Sequence, residues 1–235
     1  PAPAQLLLEL YRDAAATERT RDIYPNEDEL LEDIGAAYRT VIRDLYAAGC
    51  RNLQLDDCSW GVCVDPAAPF VFGVEPEKMG DIMDQLLKVN NLALEGKPDD
   101  LTVATHICRG NYNSSWASRG GYEPVAERLF AHENVDAYYL EFDDARSGGF
   151  EPLRFVTPGK KVVLGLITSK RPELEDKDAV IARIHEAAKY VPLENLCLSP
   201  QCGFASCEVG NKLTEEQQWA KLALVKEIAE EVWGK

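Results

Sequence analysis

The sequence lacks any run of about 18 apolar residues, the length a helix needs to cross a bilayer. Its opening, Pro-Ala-Pro-Ala-Gln-Leu-Leu-Leu, also lacks the basic lead and long apolar stretch of a secretory leader, so a soluble protein is expected. Positive charge is scarce: 25 Lys and Arg stand against 40 Asp and Glu, a formal charge of −15. Such a surface repels phosphate backbones and anionic lipid, and neither nucleic acid nor a membrane is expected as a partner. The seven cysteines are odd in number and neither dense nor regular, which excludes a disulfide framework and favours a reduced, cytoplasmic setting. There is no low-complexity tract. No Gly-x-Gly-x-x-Gly follows an apolar run, so the main marker of a nucleotide-binding open sheet is missing.

What is present is a strict alternation of short β-branched or aliphatic runs with longer segments of helical spacing. The 235 residues, 46% hydrophobic, suffice for one domain spanning 1–235 with a sizeable core. Strands are predicted at 51–56, 101–106, 135–142, 161–167 and 195–199. Helices are predicted at 27–48, 76–94, around 122–132, near 151–156, from Asp176 or Asp178 to about Tyr190, and at 215–233. Asn26 with Glu29, and Thr214 with Gln217, have the spacing of capping boxes, while Gly49 and Gly234 are natural stops. The segment "DCSWGVCVDPAAP" is read as loop. Short connections through helices force parallel strands, leaving two architectures: an open doubly wound sheet or a closed (β/α)8 TIM barrel.

The informative pattern is what stands at the C-terminal strand ends, which form the active-site face of parallel α/β folds. Asp56 and Asp57 end the first strand, His106 and Cys108 the second and Glu141 the third, and the fifth runs into Cys202. One His, two Cys and a carboxylate suit tetrahedral zinc, and the thiolates argue against magnesium or calcium. The His-x-Cys spacing points both side chains to one side of an extended segment. Glu141 directly follows "AYYL", where an unpaired buried carboxylate would be costly. The competing reading makes the cysteines small buried apolar residues, the common fate of free Cys. Cys50, Cys58, Cys63, Cys197 and Cys207 are assigned to that fate, and His132 and His185 to ordinary helix positions. Trp60 and Trp116 are the two tryptophans placed to touch a ligand.

Together, "LQLDDCSWG" (53–61), "THICRGNY" (105–112), "YYLEFDDARSGGFEPLR" (138–154) and "LSPQCGFAS" (198–206) resemble the catalytic barrel of cobalamin-independent methionine synthase, especially its short single-barrel relatives. The similarity covers nearly all of the chain after residue 25. It implies a (β/α)8 barrel and a zinc-dependent methyltransferase that converts homocysteine to methionine, using methyltetrahydrofolate or another donor such as a corrinoid. It also implies that His106, Cys108, Glu141 and Cys202 hold the zinc and that Asp56 and Asp57 hold the substrate amine. The alternatives are alkyl transfer to another thiol, and a non-catalytic zinc-binding barrel remnant.

Two departures from the family pattern matter. Thr168 stands where the long enzymes carry a histidine thought to protonate the departing folate, which weakens the case for a folate donor. The chain also carries five of eight barrel units, so about 130 to 150 residues of a typical relative are expected to be missing before it. Another chain or segment is then expected to supply the missing strands.

Overall fold

The computed structural model describes residues 1–234. Five parallel strands lie in the order of the chain: β1 (Asn52–Asp56), β2 (Thr102–Ile107), β3 (Ala137–Glu141), β4 (Lys161–Ile167) and β5 (Leu196–Pro200). All five coincide with predicted strands to within two residues at each end. A doubly wound sheet reverses its strand order at a switch point, whereas consecutive order is that of a barrel wall. The topology therefore decides between the two architectures in favour of five consecutive units of a (β/α)8 barrel.

The helices are α1 (Pro3–Arg12), α2 (Ala14–Ile23), α3 (Glu27–Ala47), α4 (Ser59–Cys63), α5 (Ala68–Phe72), α6 (Met79–Leu94), α7 (Lys177–Ala187) and α8 (Glu215–Trp233). Among the described residues no helix is long and apolar enough to cross a membrane. Four of these helices escape the periodicity argument. In α1, Ala4, Leu7 and Leu8 are buried, and Asp13 starts α2 by accepting from the Ala15 and Ala16 amides. The two others, α4 within the predicted loop after β1 and α5 beginning at its end, are single turns too short to show a period.

Between β2 and β3 the predicted helix is a 3-10 turn, Glu123–Val125, followed by a π-helical turn, Glu127–Ala131. The Leu129 carbonyl accepts from the Tyr138 hydroxyl at 2.9 Å and the Phe130 carbonyl from the Thr157 amide at 3.3 Å, so outside donors compete for the ladder. Of the two capping boxes only Thr214 with Gln217 forms; Asn26 caps α3 alone, through the Asp28 amide.

Because side chains alternate, each strand has two faces. One carries Leu55, Val103, Ile107, Tyr138, Leu140, Val162, Leu164 and Leu196, all buried under the helices. An aromatic cluster extends this layer: Tyr122, Phe130, Phe142 and Phe150 are buried, with Phe142 and Phe150 centroids 4.7 Å apart. Each such ring contributes roughly 1.5–3 kcal/mol by burial. The opposite face would line the barrel interior. There the register sets Asp56, His106, Tyr139, Val163 and Cys197 in one row across the sheet, with Glu141, Gly165 and Ser199 in the row above.

Candidate metal centre

The site grows from the ends of β1 and β2. Asp56 and His106 are register partners, and their side chains meet, with His106 Nδ1 2.7 Å from Asp56 Oδ1. Two residues on, alternation brings Cys108 to the same side as His106. Cys202 arrives from the turn after β5. Gly165 is what lets that turn come close, since a Cβ there would stand 2.8 Å from the Gln201 Cα. Asn111 Nδ2 donates to the Gly203 carbonyl at 2.8 Å and to Ser206 Oγ at 2.7 Å, tying the turn after β2 to the turn after β5. Asn211 adds a second tie, to Asn111 Oδ1 at 2.9 Å and to the Ser169 carbonyl at 2.6 Å.

The result is that donor atoms of His106, Cys108 and Cys202 lie within 4.8 Å of one another, at the wall of a cavity of about 590 Å³. His106 Nε2 is buried and has no hydrogen-bond partner. An imidazole whose one nitrogen is oriented by a carboxylate while the other is bare is the arrangement by which a metal-binding histidine is held. The residues present therefore fit a soft metal ion at this point.

The electrostatics agree. A hydrogen bond from Cys108 holds the Cys202 thiol down to about 3 against the effect of burial, with His106 and Ser206 helping. Burial opposes a charged imidazole, yet the hydrogen bond to Asp56 and the nearby Cys202 sulfur push His106 up to about 10. Even without an ion, the cluster favours a thiolate facing a cation. Removing the Asp56 carboxylate would free the imidazole to turn. Asp56→Ala is expected to weaken metal binding by about 10–100-fold, read by competition with a chromophoric chelator, without unfolding the protein.

Two of the expected site residues are placed otherwise. Glu141 lies outside the group of three donors. Its Oε2 accepts from the Arg109 amide at 2.6 Å, while Oε1 meets the Arg146 guanidinium and stands 3.8 Å from Lys170 Nζ. A fully buried carboxylate takes the nearest cations, and here those come from the turns after β3 and β4.

Asp57 is also fully buried and points away from the cavity, because adjacent residues on an extended segment face opposite sides. It accepts from Ser59 and, at 2.6 Å, from Asn90 Nδ2, which also donates to Glu133 Oε1 at 2.6 Å. Burial, followed by the Asp57 charge, pushes Glu133 up to about 8 from its ordinary 4.5. Between those values the folded protein holds a proton that the unfolded chain releases, so stability is full below about pH 4.5 and falls as pH rises to about 8. Glu133→Gln keeps an acceptor for Asn90 and removes the ionisation. Urea midpoints measured across that range should fall for the parent protein and stay level for the variant.

Thr168 is buried, and its amide donates to Glu175 Oε1 at 2.8 Å. Trp60 is core, while Trp116 is half-exposed, its ring 5.5 Å from the Arg146 guanidinium carbon. Cys63 is buried as expected, whereas Cys50, Cys58, Cys197 and Cys207 are partly exposed. Cys58 departs furthest from its assignment: it lines the cavity, its Sγ 3.4 Å from that of Cys108. Sequence reasoning also passed over Arg109, Arg146 and Lys170. All three follow strand ends within a few residues, the same signal that picked out His106 and Glu141.

Comparison with known proteins identifies the family. The family described as the catalytic domain of cobalamin-independent synthase matches residues 16–231. The uncharacterized protein YxjG of Bacillus subtilis strain 168 is 50% identical over 218 residues, which cover 91% of this chain and 57% of that protein. A 5-methyltetrahydropteroyltriglutamate–homocysteine methyltransferase of Herpetosiphon aurantiacus is 23% identical over 173 residues, 72% of this chain and 20% of that protein. Among solved structures, a candidate vitamin-B12 independent methionine synthase from Listeria monocytogenes superimposes on 90% of this chain and 58% of its own, with TM-score 0.71 and 40% identity. A B12-independent methionine synthase from Shewanella sp. W3-18-1, in complex with selenomethionine, shares the fold at TM-score 0.63 and 21% identity, over 90% of this chain and 57% of that one. The chain thus spans little more than half the length of its near relatives.

Proposed function

The chain belongs to the family of cobalamin-independent synthase catalytic domains, and from that we propose that it is the metal-bearing part of a zinc-dependent methyltransferase that methylates the thiol of homocysteine. The observation that carries this reading is the convergence of His106, Cys108 and Cys202 on one point, with Asp56 behind the imidazole. Zinc held there would supply one thing, a thiol deprotonated at neutral pH and ready as a nucleophile.

The chain's own residues do the rest. Asp56 keeps one oxygen on His106, and its side chain is 61% exposed, so the second oxygen is free to take the ammonium group of an amino-acid substrate. The ties from Asn111 and Asn211 fix Cys202 against Cys108, so the pocket is preorganised before substrate arrives. Arg146 and Lys170 neutralise Glu141 in the row above His106, which keeps its charge from competing with the thiols for the cation.

The methyl donor is read from Thr168. A buried threonine offers no proton near neutral pH, which favours a donor whose leaving group needs none, such as a methylated corrinoid, over a folate. The test is to follow methionine formation from homocysteine by the full-length, zinc-loaded protein, with methyltetrahydrofolate and methylcorrinoid offered in turn. Methionine from either supports methyl transfer, and the better donor is identified directly. Silence with both, in protein that carries zinc, would leave a metal-binding barrel wall without turnover.

A further inference from the structure

We propose that Cys58 and Cys108 form a reversible disulfide, closed by a hydroperoxide and opened by a dithiol, that competes with the metal for Cys108. The cross-link itself needs no metal; only the competition rests on the reading proposed above.

Register sets the pair. Asp56 and His106 are partners on neighbouring parallel strands, and each is followed two residues later by a cysteine. The ladder runs one step past β1, the Asp57 amide donating to the His106 carbonyl at 2.9 Å. Cys58 and Cys108 therefore leave adjacent strand ends, and their sulfurs lie 3.4 Å apart. Neighbouring strands are about 4.8 Å apart, inside the Cα separation of roughly 4.4–6.8 Å that a disulfide accepts. A bond of about 2.05 Å then needs the sulfurs to approach by only about 1.3 Å, which small turns about the side-chain torsions supply.

The backbones on both sides are held. The Ser118 amide donates to the Arg109 carbonyl at 3.0 Å while its hydroxyl donates to the Gly61 carbonyl at 2.7 Å, so one residue clamps α4 to the segment just after Cys108. Gly61 also packs directly on the Cys108 carbonyl, with no room for a side chain between them. A second thiol kept in contact in this way captures an oxidised one before further oxygen is added.

Cys58 is partly exposed and lines the cavity, whereas Cys108 is buried, so an oxidant meets Cys58 first. With hydrogen peroxide, the Cys58 sulfur attacks one peroxide oxygen: the S–O bond forms, the O–O bond breaks, and the thiol proton leaves with the other oxygen as water. The Cys108 sulfur then attacks that of Cys58. The S–S bond forms, the S–O bond breaks, and the Cys108 proton leaves with the hydroxyl as a second water. Two thiols have lost two electrons, and the peroxide has taken them. Cys202 is the competing partner, with its donor atom within 4.8 Å of that of Cys108. It approaches from the turn after β5 rather than from the adjacent strand, and its Sγ already touches Ser206 Oγ at 3.4 Å. Once Cys108 is in the cross-link, His106 and Cys202 have lost a ligand beside them; once a metal holds Cys108, the cross-link has lost its second sulfur.

The test treats metal-free protein with a small excess of hydrogen peroxide and alkylates the remaining thiols. Free thiols should fall from seven per chain to five, the intact mass should drop by two hydrogens, and peptide mapping should place the bond between Cys58 and Cys108. A dithiol should restore all seven thiols and the uptake of zinc. Loading with zinc beforehand should slow the cross-link at least about tenfold, because a bound sulfur is not accessible for exchange. Cys202→Ser should still close the bond, and Cys58→Ser should not. A bond mapped between Cys108 and Cys202, or cysteines that gain oxygen without forming a bond, would overturn the assignment; both are read on the parent protein, so neither depends on a variant that folds. Cross-linked protein that still takes up zinc would overturn the competition. Protein that closes the bond yet takes up no zinc even when reduced would remove the metal reading and leave the disulfide standing.

Discussion

If the proposed function holds, Cys108→Ser should yield a folded protein that no longer retains metal and has lost the proposed methyl-transfer activity by at least about a thousandfold. Serine preserves the shape of the side chain but replaces a soft, ionisable sulfur with a hydroxyl that does not give up its proton near neutral pH. Loss of an outer partner of a metal ligand costs about 10–100-fold in affinity, so loss of a ligand itself should cost more. The loss in rate follows because a metal contributes several kcal/mol to the transition state, and about 4 kcal/mol is a thousandfold. Metal content by atomic emission, measured beside the thermal unfolding midpoint, checks the first half. A chelator-stripped parent protein should behave as the variant does and recover on addition of zinc, which the variant should not. Cys63→Ser is the contrasting case. That thiol, on the last residue of α4, is buried, and burial pushes its pKa well above the ordinary thiol value, so its replacement should lower stability and leave metal content intact. A variant at Cys108 that keeps one zinc per chain would overturn the site.

The wall of the barrel was legible in the sequence because β-branched runs and helical stripes alternate without exception, and each run ends where polarity begins. His106, Cys108 and Cys202 were legible for a related reason: parallel strands gather their C-terminal ends on one face, so residues distant in sequence can be assigned a common place. Direction was harder to read. Asp56 and Asp57 look equivalent on paper, yet one step along an extended chain sends the first into the cavity and the second into a buried cluster with Asn90 and Glu133. Glu141 was legible as a buried carboxylate, but its partners were not, because Arg146 and Lys170 come from turns whose paths no periodicity fixes. Cys58 shows the same limit. Its place beside Cys108 depends on the register of β1 against β2, which two separate strand predictions do not contain. In α8 Leu224 and Ile228 are buried, and the third buried position is held by Lys221, whose ammonium is 3.0 Å from Glu175.

Gly61→Ala should destabilise the protein by about 3 kcal/mol and weaken metal binding together, although glycine to alanine in a helix is ordinarily favourable. Gly61 lies in α4, and a Cβ there would stand 2.0 Å from the Cys108 carbonyl oxygen and 3.0 Å from its carbonyl carbon. Neither atom is the end of a flexible side chain. Relief requires moving α4 or the backbone of Cys108, and overpacking of that kind costs typically 1–3 kcal/mol, sometimes more. α4 cannot shift freely: the Gly61 carbonyl accepts from Ser118 Oγ at 2.7 Å, and Trp60 beside it is fully buried. The strain therefore falls on the Cys108 peptide, and through it on the Sγ proposed to meet the metal. Gly80→Ala supplies the control with the opposite sign. Gly80 is in the first turn of α6, where a Cβ would meet only the Arg128 guanidinium at 3.5 Å. There alanine should stabilise by about 0.5–1 kcal/mol and leave metal binding untouched. Denaturation midpoints and chelator competition on the two variants separate a general response to losing a glycine from the specific approach of α4 to the metal-binding strand end. Equal effects at both positions would mean that α4 does not press on Cys108, and that its short turn spaces the sheet from the helices without shaping the site.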